Sequence, residues 1–213
     1  MAAQGMPMPG PQLSAQQKFI LESFNSETYV NNRMDIQDTP LYDTVILTNT
    51  GATSVVSVLS TALFTNVGPQ SGKTIGLTNM AQPQKLNAPE AFSVFGFRFR
   101  YSENILLADL YNVVNTQVFE FYMGQKAYHR APIWCCNAGG GIYGTLTNTA
   151  TSVLNNGMPG RSDMQRLGIN VVIENQMSFY GQLNGAQQTL SASPGTGMTF
   201  QMVLSGLYAR GVQ

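Results

Sequence analysis

Alternating apolar and polar residues recur along the chain from about residue 39 and predict a series of short β-strands. The alternation is clearest over residues 92–101. One parity there carries Phe95, Phe97, Phe99 and Tyr101, and the other carries Gly96, Arg98 and Arg100. Because successive side chains of a strand point to opposite faces, this run predicts an aromatic ladder on one face and two guanidinium groups on the other.

Other β-prone runs are separated by Gly, Pro and Asn, which favour turns. They cover residues 42–47, 55–64, 119–123, 127–130, 167–173, 179–183 and 198–208. The first two runs predict either a hairpin or a corner between two sheets, and residues 124–126 predict a turn that reverses the chain. Apolar residues at spacings of three and four from Ile105 to Val113 predict one helix in this part of the chain.

Eight or nine short strands with one or two short helices favour an all-β fold of two packed antiparallel sheets. The long irregular connections favour the jelly-roll type, with an immunoglobulin-like sandwich as the alternative. Three parts follow one another along the chain: an extended, Pro-rich arm at residues 1–17, a short helix and linker at residues 18–38, and a single β-sandwich domain at residues 39–213.

Charged residues make up only 10% of the 213 residues, eleven of each sign, whereas hydrophobic residues make up 43%. In a typical soluble domain about a quarter of the residues are charged, and the domain depends on them for solubility. A surface so poor in charge suits a protein that is covered largely by copies of itself. The composition therefore predicts self-assembly.

The charge balance also argues against two kinds of partner. Zero net charge provides no general attraction to nucleic acid or to anionic membranes, because that attraction requires clustered Lys and Arg. No apolar run approaches the roughly 20 residues that cross a bilayer, and the first residues lack a signal-peptide pattern. We expect no specific nucleic-acid binding, no transmembrane segment and no small-molecule substrate.

Cys135 and Cys136 are the only cysteines, and they are adjacent. A disulfide between neighbours would strain the peptide that joins them, so we expect two reduced thiols, one facing a core and one facing outward. His129 is the only histidine, and a metal or redox site would need further His or Cys. We therefore predict no metal and no cofactor.

Residues 68–74 end in the Gly-Lys-Thr sequence of a phosphate-binding loop. That motif needs a glycine five residues before its second glycine, where this chain has Val67, and it needs a helix after the lysine. Residues 75–79 do not have a helical pattern. We interpret the segment as a surface loop.

The sequence predicts no catalytic residue. His129 is flanked by Lys126 and Arg130, whose charges disfavour its protonated form, and no nucleophile-elbow motif accompanies it, so we expect it at a surface or an interface. Three aspartates could serve as the paired carboxylates of a glycoside hydrolase, but we assign them to turns and strand edges. They are Asp35, Asp38 and Asp43.

Seven residues are candidates for contacts between subunits. Arg98 and Arg100 would pair with carboxylates of a neighbouring subunit, and Trp134, the only tryptophan, would anchor a core or an interface. Met and Phe residues near the start of the chain would supply adaptable apolar contacts to partners. These are Met6, Met8, Phe19 and Phe24.

The Pro-rich arm, the strand series from about residue 39 to residue 208 and the scarcity of charge resemble bacteriophage virion proteins, and more narrowly the small jelly-roll capsid proteins of icosahedral viruses. Residues 86–92 and 124–128 also look like the sequences of phage structural proteins. The resemblance implies a jelly roll, self-assembly into a shell, an arm that ties neighbours together, and other virion proteins as further partners. It also implies synthesis in the host cytoplasm and residence in the virion, with loops 65–90 and 147–166 between subunits.

Two other classes of protein remain open. A carbohydrate- or receptor-binding β-domain would use Trp134 and tyrosines as a platform on which sugar rings stack. A hydrolase would need a buried polar cluster around His129.

Overall fold

Two antiparallel β-sheets and one α-helix dominate the part of the chain that the structure, a computed structural model, describes. The described residues are 34–48, 55–56, 61–101, 107–136, 143–145, 153–155, 165–186, 188–189 and 197–211. Within them, the all-β sandwich expected from the alternating pattern is confirmed.

In chain order the strands are β1 (Met34–Gln37), β2 (Leu41–Thr48), β3 (Val55–Val56), β4 (Thr61–Leu63), β5 (Ala91–Tyr101), β6 (Gln117–Met123), β7 (Lys126–Pro132), β8 (Tyr143–Thr145), β9 (Val153–Asn155), β10 (Gln165–Ile173), β11 (Phe179–Gly185), β12 (Gln188–Thr189) and β13 (Gly197–Gly211). Helix α1 spans Leu107–Thr116, and 3-10 turns cover Pro69–Ser71 and Ile133–Cys136. Strand β1 lies within the residues predicted as a linker and pairs with β13, so the sheets begin before residue 39.

Sheet I consists of β1, β2, β13, β5 and β10, and β13 lies at its centre. One edge of β13 pairs with β2 and then with β1, whereas the other edge pairs with β5. Strand β10 pairs with the far edge of β5. The central strand is therefore built from residues more than a hundred positions away from its partners on the β1 and β2 side.

Sheet II consists of β4, β11, β6 and β7, in that order. Strands β6 and β7 form the predicted hairpin, and Gly124 in its turn has a φ of 58°, which costs a glycine little because it has no Cβ. Strand β4 pairs with β11, whereas β2 pairs with β13. Of the two arrangements predicted for this region, the corner between sheets is the one that forms. Two short ribbons, β3 with β12 and β8 with β9, complete the described strands.

The inner faces of the two sheets pack against each other and form one core. Phe97 and Phe99 of β5 meet Phe119 of β6, with ring centroids 5.3 Å and 5.1 Å apart. Aromatic side chains dominate such cores, and each tilted ring pair contributes about 0.5–1.5 kcal/mol beyond area burial. The largest fully buried aromatic residues are Phe64, Phe92, Phe97, Phe99, Tyr101, Phe119, Phe121, Phe179 and Phe200.

The aromatic ladder predicted on β5 is interrupted at Phe95. Strand β13 pairs with β5 on both sides of Phe95 but not with Phe95 itself, and this β-bulge reverses which parity faces the core. The core residues of the strand are Phe92 and Val94 before the bulge, and Phe97, Phe99 and Tyr101 after it. The ladder is confirmed for its last three members, whereas Phe95 lies outside the core cluster.

The connection between β4 and β5 covers the outer edge of β2. Asn79 takes the place of a neighbouring strand: its Oδ1 accepts from Tyr42 N at 2.9 Å, and its own N donates to Tyr42 O at 3.3 Å. Thr44 Oγ1 donates to Leu77 O at 2.7 Å on the same edge. Since an open edge is a template for uncontrolled strand pairing, this loop removes an aggregation hazard.

Helix α1 packs against the core through Leu110, Val113 and Val114. It confirms the helix predicted from the three- and four-residue spacing, over those of its residues that the structure describes. No helix in the described ranges is long and apolar enough to cross a membrane.

Candidate functional site

The outer face of sheet II carries a connected set of polar and aromatic side chains. In β6 the side chains of Phe119, Phe121 and Met123 belong to the core between the sheets. The alternate residues Glu120 and Tyr122 therefore point to the outer face. In β11 the same alternation places Tyr180 and Asn184 outside. The register sets Tyr180 directly opposite Tyr122. We call the set Glu120, Tyr122, Arg130, Tyr180 and Asn184 the Glu120 cluster.

A β-bulge at Tyr128 brings Arg130 into this cluster. Regular pairing across the turn at residues 124–125 would set residue 129 opposite Glu120. Instead Ala127 pairs with Tyr122 and His129 pairs with Phe121, which leaves Tyr128 without a partner in the register. Arg130 therefore lies opposite Glu120, and His129 turns toward the core. Bulges commonly re-aim side chains in this way.

Glu120 is the centre of the cluster, and only 6% of its side chain is exposed. Its Oε1 contacts Arg130 Nε, and its Oε2 accepts hydrogen bonds from Tyr122 OH at 2.6 Å and from Asn184 Nδ2 at 2.5 Å. A buried carboxylate is tolerated when it is paired and hydrogen-bonded, and here donors from β6, β7 and β11 meet that requirement.

Arg130 is held by Glu120 but remains 67% exposed at its side chain. A hydrogen bond with Tyr122 and the charge of Glu120 raise the pKa of Arg130 above its ordinary value, so the guanidinium stays charged. The hydrogen bond to Glu120 raises the pKa of Tyr122, so the phenol keeps the proton that it donates. The cluster thus presents an oriented cation to solvent.

Aromatic rings flank this cation. Tyr122 and Tyr180 are stacked, with centroids 4.9 Å apart and ring planes 8° from parallel. The β7 residue opposite Tyr122 is the exposed Ala127, whose short side chain leaves the space beside the Tyr122 ring open. Lys126, opposite the buried Met123, belongs to the other side of β7, where its Nζ lies 5.2 Å from the centroid of the Tyr128 ring. Such a face can hold a ligand by ring stacking and by charge-assisted hydrogen bonds.

Sequence reasoning missed the Glu120 cluster, although part of the signal is present. The alternation of β6 assigns Glu120 and Tyr122 to the polar side of the strand. Asn184, however, comes from a strand 64 residues further on, and Arg130 arrives only because of the bulge at Tyr128. A parity count without that bulge would bring His129 to the site in place of Arg130.

His129 lies on the inner side of β7, half-buried against core rings. Its ring centroid is 4.8 Å from that of Phe97, and its Nε2 is 3.9 Å from Cys136 Sγ. Burial lowers the pKa of His129 and raises the pKa of Cys136 to about 12. A thiolate–imidazolium nucleophile would need both shifts in the opposite direction. The sequence attributed the neutral state of His129 to flanking cations, whereas burial is the cause in the structure.

Both cysteines are free. Cys136 is buried in the core, as expected for one of the two thiols, and Cys135 is half-buried and packs partly against the same core. They lie in the 3-10 turn Ile133–Cys136.

The aspartates considered as paired carboxylates take part in separate contacts. Asp43 is fully buried, and its Oδ1 contacts Lys73 Nζ at 2.7 Å while its Oδ2 accepts from Phe64 N at 2.7 Å. Asp35 pairs with Arg210 at 3.3 Å on the surface, and Asp38 is exposed. Lys73, the lysine of the phosphate-loop-like segment, is thus engaged by Asp43, and a turn at residues 75–77 follows it where a phosphate-binding loop needs a helix.

The candidate interface residues are spread over the described surface. Arg98 and Arg100 stand opposite Val203 and Gln201 on the outer face of sheet I, Arg98 half-buried and Arg100 exposed. Trp134 is 57% exposed in the turn after β7, which rules out a core position and leaves its interface role a prediction. The remaining candidates, Met6, Met8, Phe19 and Phe24, lie outside the described residues.

Three exposed isoleucines, two on sheet I and one in the loop beside it, were not among the sequence candidates. Ile46 lies on β2, and Ile75, which is 81% exposed, lies in the loop that covers β2. Ile169 is 84% exposed in an irregular stretch of β10, where the register with β5 shifts between Arg166 and Val171. Strands β2 and β10 are outer strands on opposite sides of sheet I.

Comparison of the chain with protein-family models, curated proteins and solved structures finds no match. Among the described residues, no three His, Cys, Asp or Glu side chains converge as ligands for a metal ion.

Proposed function

We propose that this protein is a self-assembling structural subunit of a virus particle, resident in the virion, with copies of itself and other virion proteins as partners. It acts through interfaces between subunits and not through a reacting group. The observation that carries the proposal is the placement of exposed isoleucines at the two opposite edges of sheet I, Ile46 and Ile75 at one edge and Ile169 at the other.

The strand order supports a jelly-roll topology as part of this proposal. A jelly roll is an antiparallel ribbon of eight strands, rolled up so that the first strand pairs with the eighth, the second with the seventh, the third with the sixth and the fourth with the fifth. With β2 as the first of the eight principal strands and β13 as the last, these pairs are β2·β13, β4·β11, β5·β10 and β6·β7. In an immunoglobulin-like order the second strand would pair with the fifth, whereas here β4 pairs with β11.

Apolar side chains at opposite edges favour head-to-tail contacts. In such a contact one edge of a subunit meets a different edge of its neighbour, and repetition produces rings or extended arrays. Burying one exposed isoleucine contributes about 1.5–3 kcal/mol. Because a closed assembly repeats every contact many times, modest contacts are sufficient.

The scarcity of charge supports the same conclusion. With 10% charged residues, the chain has few groups to keep its surface solvated, and described charges such as Glu120 and Asp43 are buried in ion pairs. Covering the surface with further subunits relieves this shortage.

Light scattering coupled to size-exclusion chromatography, across a range of protein concentrations, tests the proposal. We expect the wild-type protein to form rings, shells or defined oligomers that negative-stain microscopy resolves. Ile169→Lys and Ile75→Lys should each shift the population toward monomers, because assembly would bury an unpaired ammonium group.

Gln70→Lys is the matched control, since Gln70 is exposed in the same loop as Ile75 and the substitution adds the same charge without removing an isoleucine. It should assemble as the wild type does. A wild-type protein that stays monomeric at high concentration would contradict the proposal, as would unchanged assembly of both isoleucine variants.

A further inference from the structure

We infer that the outer face of sheet II binds an acidic saccharide, a sugar chain that carries carboxylate groups. The inference goes beyond assembly, which needs no ligand, and it concerns a different sheet from the isoleucine edges. It follows from three properties of the Glu120 cluster and its surroundings: an oriented and exposed guanidinium, a stacked tyrosine pair beside open space, and a buried carboxylate that leaves the guanidinium as the charge presented to solvent.

The guanidinium of Arg130, which already contacts the Glu120 carboxylate, is positioned to bind a second carboxylate from a ligand. A guanidinium has five N–H donors in a planar fork, and the Glu120 contact uses the one on Nε. With the side chain 67% exposed, donors are available to a ligand approaching from solvent. Because Glu120 and Tyr122 already fix the orientation of the fork, binding does not have to immobilise a flexible arginine.

The tyrosine pair provides a surface for sugar rings. Sugar rings present C–H groups on their faces, and these pack against aromatic side chains while the hydroxyls at the ring edge seek polar partners. The exposed Ala127 leaves the β7 side of the Tyr122 ring uncovered. A sugar ring placed over Ala127 would lie beside Tyr122. It would also lie within reach of Arg130, which projects from the same face of β7 as Ala127.

The charge of the face selects an acidic ligand. Glu120 is buried and paired with Arg130, whereas Arg130 is exposed. The face therefore offers positive charge to solvent. One exposed guanidinium is too little to follow a nucleic-acid backbone, which requires a wider basic surface, but it suits a single sugar carboxylate.

The binding test uses a hexasaccharide of alternating glucuronic acid and N-acetylglucosamine, titrated into the full-length protein by isothermal calorimetry. The same hexasaccharide with its carboxyl groups reduced to alcohols is the ligand control, and polyglutamate tests for attraction to any polyanion. We expect the wild-type protein to bind the acidic hexasaccharide at least about tenfold more tightly than either control.

Ala127→Glu is the decisive variant, because the Ala127 side chain is exposed and has no polar group that could take part in the hydrogen bonds of the Glu120 cluster, so the fold does not depend on it. Glu and Gln are of the same size and fill the same space beside Tyr122, but only the carboxylate of Glu also repels the ligand, so Ala127→Glu should bind at least about tenfold more weakly than Ala127→Gln. Arg130→Met should abolish the preference for the acidic ligand. Arg210→Met, which removes an exposed, ion-paired arginine from sheet I, should leave binding unchanged.

The inference fails if the wild-type protein does not bind the acidic hexasaccharide, if the carboxyl-reduced form binds equally, or if Ala127→Glu and Ala127→Gln weaken binding equally. Equal binding of polyglutamate would overturn it in favour of a general anion site. Light scattering on the same samples reports assembly separately, so failure of the saccharide site and failure of the proposed structural function can be told apart.

Discussion

Glu120 and Asp43 show how this chain uses its few charges. Each carboxylate is buried, and each contacts one basic side chain and a further hydrogen-bond donor, Tyr122 OH or Phe64 N. Removing either basic partner would leave a buried charge uncompensated, which is among the most destabilising changes that a single substitution can make. The two ion pairs therefore help to determine which segments of the chain pack together.

His129 makes the free energy of unfolding depend on pH. Burial lowers its pKa below the ordinary value of 6.5, so the unfolded chain takes up the proton more readily than the folded protein does. Its contribution to stability is complete above about pH 6.5 and is lost as the pH falls through and below that value. His129→Phe keeps a ring against Phe97 and cannot titrate. We expect the free energy of unfolding, measured with urea at about pH 7 and about pH 5, to fall less in the variant than in the wild type.

Identical pH dependence of the wild type and His129→Phe would show that the imidazole does not contribute. Carboxylates titrate in both proteins, so the difference between the two curves isolates His129.

At the scale of elements, the edges of the two sheets are protected by different means. The loop before β5 pairs with β2 through Asn79 and Leu77. Strand β7 instead carries the charged residues Lys126 and Arg130 and the bulge at Tyr128, all of which discourage pairing with another strand. A protein that assembles through selected surfaces needs such protection, because open edges would compete with the intended contacts.

The ion pair of Asp43 with Lys73 ties that loop to β2 and supplies a test. We expect Asp43→Asn to lower the free energy of unfolding by about 3 kcal/mol, because it leaves the Lys73 ammonium, only 14% exposed, without its partner. Asp35→Asn breaks the exposed pair with Arg210 and should cost less than about 1 kcal/mol. Urea denaturation of both variants checks the difference, and equal losses would mean that the buried pair does not secure the loop.

The sequence predicted those features that depend on neighbouring residues. It did not predict those that depend on contacts between distant parts of the chain. Alternation identified most of the principal strands and the spacing identified α1, because side-chain burial on one face is a local pattern. The bulges at Phe95 and Tyr128 were missed, since each depends on the register with strands elsewhere in the chain. For the same reason the Glu120 cluster could not be assembled from sequence: its members belong to three strands whose order was unknown.

For the whole molecule, the two outer faces differ in chemistry. Sheet I exposes isoleucines at its edges, whereas sheet II exposes tyrosines and the guanidinium of Arg130 around Glu120. On the proposals above, the edges of one sheet serve contacts between subunits and the face of the other serves recognition. Such a division lets a particle bind a ligand without disturbing the interfaces that hold it together.

Deleting residues 1–17 tests the whole-molecule role predicted for the arm. The described strands begin at Met34, so the deletion removes none of them. We expect an unchanged thermal unfolding midpoint by circular dichroism and poor assembly by light scattering. Replacing Met6 and Met8 with Gln in the full-length chain, which keeps the length and removes the apolar contacts, should weaken assembly less. Normal assembly of the truncated protein would remove the arm from the mechanism.

The central place of β13 also determines when the protein can fold. Met34 pairs with Gly211 and Leu41 with Leu204, so sheet I lacks its middle until β13 has been synthesised. Folds in which such distant segments must meet form slowly, because the entropy of closing a long loop is lost before the contacts compensate it. During translation the earlier strands must wait with their apolar faces exposed. We therefore expect the yield of soluble protein to depend on how long the chain remains in this incomplete state.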